Sequence, residues 1–416
     1  MQVLRGHAAH VLFMLAAIGS VSSPPLANIA AFVGLLAFFS IPGAGVRLRR
    51  AAAQPAGTAL LAFLALMALA MTWADVEWPR RLAAWWSWRP LILLLFASAL
   101  FDDARWKDRF AQALVAFLVL AALVSFALRL LPTPMGIDNE PGVILRNHAT
   151  QGMAFVAGTV LAAMLAWGRP ATARMRQALL AAMALFVANI ALISTGRSAH
   201  LALLVAGALF AFSLLRGRRR WTALVLIPVL GAVLLASSSM VRERFTTAYG
   251  ELDTVMTSPW ETSTGLRIVI WTTTVELIRQ RPLLGYGVGG LPPAYAALVH
   301  QRYTGWQAAE AKDTHNQYLH VMVEAGIPGV LAFLAFIVAV VRQRAAAPYR
   351  GAALALFAAW LVTSLFNSHF QTFAEAHLIG IVLGVLLAGG AAAQGEAGTG
   401  ASAGASAAPA AAATSS

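Results

Sequence analysis

Residues 110–131 read Phe-Ala-Gln-Ala-Leu-Val-Ala-Phe-Leu-Val-Leu-Ala-Ala-Leu-Val-Ser-Phe-Ala-Leu-Arg-Leu-Leu, and Arg129 is the only charge among them. About 20 consecutive apolar residues are what a helix needs to cross the hydrocarbon core of a bilayer. A surface helix of a soluble protein carries a polar face that this stretch lacks. Similar runs recur from residue 8 to residue 392. Of the 416 residues, 59% are hydrophobic and 11% charged, against about 25% charged in a soluble domain. An ordinary water-soluble enzyme and a disordered chain are both excluded. A lipid-exposed backbone must satisfy its own hydrogen bonds, so the chain reads as an all-α polytopic membrane protein. Cysteine is absent, which removes disulfides, thiolate catalysis and Cys-ligated metal centres.

The runs predict about 12 transmembrane helices, at 8–22, 26–42, 58–73, 90–101, 110–131, 151–167, 177–194, 199–215, 221–238, 318–341, 351–367 and 377–392. Residues 1–21 resemble a signal peptide, but the next apolar run follows too closely for a mature soluble domain, so they are read as the first span. The chain divides into helices 1–9 (1–238), a long loop (239–317), helices 10–12 (318–392) and an Ala/Gly/Ser-rich tail (393–416) expected to be disordered. Of the 30 Lys+Arg residues, 17 fall in one family of connections, among them Arg47, Arg49, Arg50, Arg169, Arg218, Arg219, Arg220 and Arg344. The short connections of the other family hold six, and the long loop holds the remaining seven. Positive loops stay inside and long loops cross regardless of charge. Both termini are therefore expected in the cytoplasm, with 239–317 and the loops near 74–89, 132–150, 195–198 and 368–376 outside. The net charge of +13 is a topology signal and an affinity for anionic lipid before it is evidence for nucleic acid. No P-loop appears, so an ATP-driven pump has no engine.

Polar residues crowd three outer places. Ser194-Thr195-Gly196-Arg197-Ser198 is a short turn between two apolar runs. Arg197 reads there as a snorkelling cation or as a bidentate anion ligand. Leu266, Val269, Ile270, Thr273 and Leu277 repeat with helical spacing and predict an amphipathic helix carrying Arg267, which Pro282 ends. The glycines at 285, 287, 289 and 290 then predict a flexible loop. Asp313-Thr314-His315-Asn316-Gln317-Tyr318 opens the tenth span. Asp313 or Thr314 is expected to cap that helix, and Pro328 to kink it. His315 suits general-base work at the membrane edge, and His320 and Glu324, four apart, are expected to pair. None of the nine histidines has metal-ligand spacing. The acid pairs Asp75/Glu77 and Glu251/Asp253 read as solvated loop residues, so no metal or cofactor is expected. Trp85, Trp86 and Trp88 beside Arg80, Arg81 and Arg89 read first as an interfacial belt, and secondly as a sugar platform or a dock for a phosphorylated glycan.

The Ser-Thr-Gly-Arg-Ser turn, Gly-x-Arg-x-x-x-Trp at 265–271, Arg-Pro-Leu-Leu-Gly-Tyr-Gly at 281–287, and Thr-His-Asn-Gln-Tyr-Leu with Glu-Ala-Gly-Ile-Pro-Gly at 314–329 together resemble the O-antigen ligase family. The resemblance is strongest over about residues 185–345. It implies a GT-C-type membrane glycosyltransferase in the bacterial inner membrane with a periplasmic active site. Such an enzyme moves a glycan from undecaprenyl diphosphate to a sugar hydroxyl of lipid A-core, without metal or nucleotide sugar. The superfamily also holds O-antigen polymerases and protein O-oligosaccharyltransferases that share these motifs.

Both lines converge on one chemistry. Arg197 and Arg267 would hold the departing diphosphate, His315 would take the acceptor's proton, and the anomeric centre would invert. Arg146, Arg242, Asn316 and Tyr318 stand as possible helpers. A lipid-linked-glycan transporter or flippase is the reading from another class. It would need polar groups along a whole crossing path, whereas here they crowd one side.

Overall fold

The computed structural model describes residues 2–131, 133, 135–194, 196–237 and 263–389. Arg242, Glu251 and Asp253, together with the tail from Gly390, lie outside these residues. Among them the chain is helical, with no strand. The helices are α1 (Gln2–Ser22), α2 (Pro24–Phe39), α3 (Ala44–Ala52), α4 (Pro55–Ala70), α5 (Trp78–Trp86), α6 (Leu93–Leu100), α7 (Ala104–Arg129) and α8 (His148–Trp167). They continue as α9 (Ala173–Leu192), α10 (Arg197–Leu214), α11 (Arg218–Ser237), α12 (Ser263–Gln280), α13 (Leu291–Arg302), α14 (Gln317–Arg342), α15 (Tyr349–Thr363) and α16 (Phe373–Leu387).

Helix starts follow local chemistry. Proline stands in the first turn of α2, α4, α5 and α13, where its missing N–H is no loss. Asp103 and Asn147 cap α7 and α8 by accepting from the amides of Arg105 and Thr150.

Two helices form the centre. α8 is 94% buried over its apolar window, and α16 buries nearly its whole length. α16 packs on α1, α6, α8 and α15. Gly380 and Gly384, one turn apart on α16, allow this. A Cβ on Gly384 would lie 2.6 Å from both the Ala97 side chain and the Leu94 carbonyl oxygen. The close backbone approach is the device small residues provide between membrane helices. Peripheral helices instead turn large apolar side chains outward, as at Phe32, Val225 and Leu331, each at least 60% exposed.

Helices occupy the described part of every segment read as a span, and among the described residues five are long and apolar enough to cross by themselves, or up to seven if each bent pair counts as one. The bends measure 112° between α2 and α3, and 44° between α5 and the segment ending α6. Four further apolar helices are shorter, including Tyr349–Thr363 and Phe373–Leu387. Fifteen residues rise only about 22 Å, less than the roughly 30 Å of hydrocarbon. Apolarity alone predicts about twelve; length and apolarity together support five to seven among the described residues.

The two families of connections sort to opposite ends. At one, Arg169 pairs with Asp108 at 2.8 Å, Tyr349 donates to the same carboxylate at 2.7 Å, and Lys107 donates to the Ala388 carbonyl at 2.8 Å. Arg47 faces Asp102 there at 3.4 Å. At the other end gather the loops around residues 74–89, 135–147, 194–198, 285–290, 313–316 and 364–372, whose contacts follow.

Candidate functional site

The site is built around a broken helix. α14 does not run straight: Gly326 sits at φ 61°, ψ −155°, and Pro328 cannot donate. The carbonyls of Val323 and Glu324 lose intrahelical partners. They accept instead from the amides of Tyr286 at 2.8 Å and Gly287 at 2.9 Å. The Ile327 amide donates back to the Pro282 carbonyl at 3.1 Å. The glycine-rich segment is therefore no flexible loop, contrary to the expectation from composition. It is pinned to α14 by the backbone groups that the break releases. Gly285 at φ 67° and Gly326 are both needed. A Cβ on Gly285 would stand 2.5 Å from the Val323 carbonyl oxygen, and one on Gly326 2.2 Å from that of Leu283.

Ahead of the break, α14 carries the expected pair, with His320 Nε2 3.3 Å from Glu324 Oε2. Both are buried, and the other Glu324 oxygen accepts from the Gly289 amide at 2.9 Å. His320 Nδ1 lies 3.5 Å from Asp313 Oδ1, which also accepts from the Ser368 hydroxyl at 2.6 Å. The second oxygen of Asp313 faces His315 Nδ1 at 3.8 Å. Burial pushes the Asp313 carboxyl up, but the hydrogen bond and charge of His320, the Ser368 hydroxyl and the charge of His315 outweigh it. They hold the carboxyl at about 2. His315 itself is half exposed. Its backbone is left-handed at φ 48°, a strained state for a non-glycine residue.

The cap of α14 is neither Asp313 nor Thr314. Asn316 caps it, accepting from the amides of Tyr318 and Leu319, and its Nδ2 donates to the Leu365 carbonyl. Thr314 bonds Asn316 from outside the helix. The Tyr318 hydroxyl donates to the Leu361 carbonyl at 2.8 Å. Asn316 and Tyr318, both expected as possible helpers, are thus engaged in holding backbone.

α12 reaches the same point. Val269, Ile270 and Leu277 form a small core with Leu291, Tyr295 and Val299 of α13 and with Val323. Trp271 Nε1 donates to the Thr314 carbonyl at 3.0 Å, at the residue preceding His315. Arg267 is half-buried and precedes Trp271 by four residues, so it shares that helix face. Arg197 opens α10 beside the start of α8. A Cβ on Gly196 would meet the His148 ring at 3.0 Å, and one on Gly152 would lie 2.4 Å from the Ala199 Cβ. Arg146, left-handed at φ 57°, puts its guanidinium 5.3 Å over the ring of Phe373, just after the loop that carries Ser368. One end of the molecule thus collects Arg146, Arg267, His315 and the helix start bearing Arg197.

Several participants lacked a sequence signal of their own. Gln151 accepts from the amides of Ile144 and Leu145 and donates to the Gly142 carbonyl, while Asn189 donates to Ser125 at 2.8 Å. This buried network fixes the loop in which Arg146 sits. Glu375 accepts from Thr150 at 2.6 Å in the interior. Each is a polar residue inside an apolar run, which is the signal that could have found them. Arg81 and Trp88 leave the expected aromatic belt. Arg81 donates to the Met71 and Val76 carbonyls, and Trp88 is fully buried. Trp86 stays exposed under Arg89.

Among the described residues, no group of three or more His, Asp or Glu is placed to hold a metal ion. Beside Asp313 opens a cavity of about 370 Å³, floored by His320 and Glu324 and rimmed by Arg80 and Lys312.

Against known proteins, residues 181–334 match the model of a family described as O-antigen ligase. Over 206 residues the chain is 26% identical to the O-antigen ligase of Salmonella typhimurium strain LT2, a match covering 46% of this chain and 48% of that protein. The match therefore spans about half the length of the relative. The matched family region takes in α10, α12, the glycine segment and the first part of α14.

Proposed function

We propose, on the match of residues 181–334 to the O-antigen ligase family and the likeness to the Salmonella ligase, that the chain is a membrane glycosyltransferase acting at the periplasmic face of the inner membrane. It transfers O-antigen from undecaprenyl diphosphate to a sugar hydroxyl of lipid A-core. The long loop 239–317 and helix α14 form the active site, and the basic end faces the cytoplasm.

In this reading the acceptor hydroxyl attacks the anomeric carbon from the face opposite the diphosphate. The new glycosidic C–O bond forms as the bond from that carbon to the diphosphate oxygen breaks, and the configuration inverts. The hydroxyl proton passes to His315. The electron pair leaves with undecaprenyl diphosphate, whose growing charge Arg267 and Arg197 stabilise, with Arg146 near them. Fixed guanidinium groups aimed at charge that develops in the transition state lower the barrier more than they tighten ground-state binding. No cofactor takes part.

The observation that carries the reading is the Trp271–Thr314 hydrogen bond. It ties the helix bearing Arg267 to the strained peptide that presents a half-exposed His315. The one-sided crowding of these groups supports chemistry over transport.

The test is purified full-length protein with synthetic undecaprenyl-diphosphate glycan and lipid A-core, with and without chelator. Capped lipid A-core made in chelator supports the reading. Longer glycan still on undecaprenyl would make it a polymerase, and no new bond would end the enzymatic reading. His315→Ala is expected to fold and bind the donor but to lose at least about 100-fold in rate. Arg267→Ala is expected to lose activity that Arg267→Lys recovers only in part, because lysine restores charge without the planar fork.

A further inference from the structure

The cavity beside Asp313 has a use that the chemistry above does not supply. Its floor is His320 and Glu324, 6% and 2% exposed. The imidazole lies between two carboxylates, Nδ1 3.5 Å from Asp313 Oδ1 and Nε2 3.3 Å from Glu324 Oε2. Both contacts are longer than an ordinary charge-assisted hydrogen bond, so the cavity has a polar floor with room for hydroxyls. Its rim is different in kind. Arg80 and Lys312 both line it and are both exposed, and Gln371 adds an amide between rim and floor.

A ligand that satisfies both parts has hydroxyls for the floor and an anionic substituent for the rim. Purely anionic ligands would meet Glu324 and Asp313, and purely apolar ones would leave the floor unmatched. The cavity and His315 share one wall, Asp313, which turns one oxygen toward each. Neither α10 nor α12, which carry the proposed diphosphate ligands, contributes a residue to the lining of the cavity, which leaves it to the acceptor.

We propose that this cavity is the acceptor subsite, holding a sugar of the lipid A-core whose phosphate substituent is read by Arg80 and Lys312. The assignment rests on the ligase reading for the identity of its occupant. The remaining guanidinium groups of the tryptophan-rich segment do not share the task, since Arg81 and Arg89 are engaged with backbone carbonyls.

The experiment is equilibrium binding of lipid A-core to the purified full chain in nanodiscs, for the wild type and for Arg80→Gln/Lys312→Gln. Both residues are exposed, so the variant keeps its fold. Each protein is measured with native lipid A-core, with the same material after phosphatase treatment, and with the undecaprenyl-diphosphate glycan. Binding of native acceptor is expected to weaken at least tenfold in the variant. Phosphatase treatment should weaken wild-type binding and erase the difference, and donor binding should be equal. Equal affinity of both proteins for native acceptor overturns the subsite, as does a loss confined to the donor. The two readings separate cleanly. Acceptor binding with the expected rim dependence but no transfer sinks the ligase reading and leaves the subsite. Transfer by a variant that binds acceptor normally does the reverse.

Discussion

Asp313 is the residue on which the two halves of the site hinge. Its carboxyl, at about 2 against an ordinary 3.8, is an anion throughout the neutral range. A carboxyl depressed by folding stabilises the folded state above its unfolded value and loses that contribution as pH falls through its folded value. Asp313→Asn is therefore expected to unfold at lower temperature than the wild type near neutral pH, with the two curves converging as pH drops from about 4 to about 2. The same variant should lose on the order of tenfold in transfer rate, because His315 loses the carboxylate facing its Nδ1. The meeting of the segments that carry His315 and Arg267 was legible in the sequence because both residues stand among polar neighbours at the edge of apolar runs. Glu375 was not. It is alone near the start of an apolar helix, and its partner Thr150 is 225 residues away in the chain. Asp313 was legible as a polar residue but misread as a cap. Nothing in local spacing tells that its oxygens would be taken by Ser368 and His320.

The elements obey sharper constraints than composition revealed. Glycine in Gly-Tyr-Gly-Val-Gly-Gly signalled freedom, yet four glycines there are held against α14 and its neighbours. The sequence shows that glycine permits left-handed backbone, but not whether that backbone is clamped. Gly326→Ala tests the clamp. A Cβ 2.2 Å from the Leu283 carbonyl oxygen adds overlap to strain at φ 61°. The loss should be about 2–4 kcal/mol, read as a lower unfolding temperature with loss of transfer. Trp271→Phe tests the other tie. It keeps an apolar ring but deletes the N–H to Thr314, a net loss of about 1 kcal/mol. Thermal stability should barely move, while transfer falls several-fold because the face bearing Arg267 is no longer fixed to the His315 peptide. A large loss of stability with normal transfer would reject that account.

At the scale of the whole molecule, the charge bias separated the connections into two families, and the fold gathers each at its own end. The number of spans was less legible. Short helices such as α15 and α16 are apolar over most of their length, so hydropathy cannot see that packing, rather than length, accommodates them. Their burial against other helices gives them protein neighbours where longer helices meet lipid. The absence of native cysteine makes orientation directly measurable. Lys312→Cys in intact cells is expected to react with a membrane-impermeant maleimide, and Arg344→Cys only after lysis. The opposite pattern would invert the proposed topology.

The interruption at Gly326 also bears on biogenesis. Two carbonyls inside an apolar helix stay unmatched until the amides of Tyr286 and Gly287 reach them, and those amides lie upstream in the polypeptide. On the proposed topology the segment around Tyr286 must therefore be in place before α14 can settle, and until then the His315 imidazole has no fixed address.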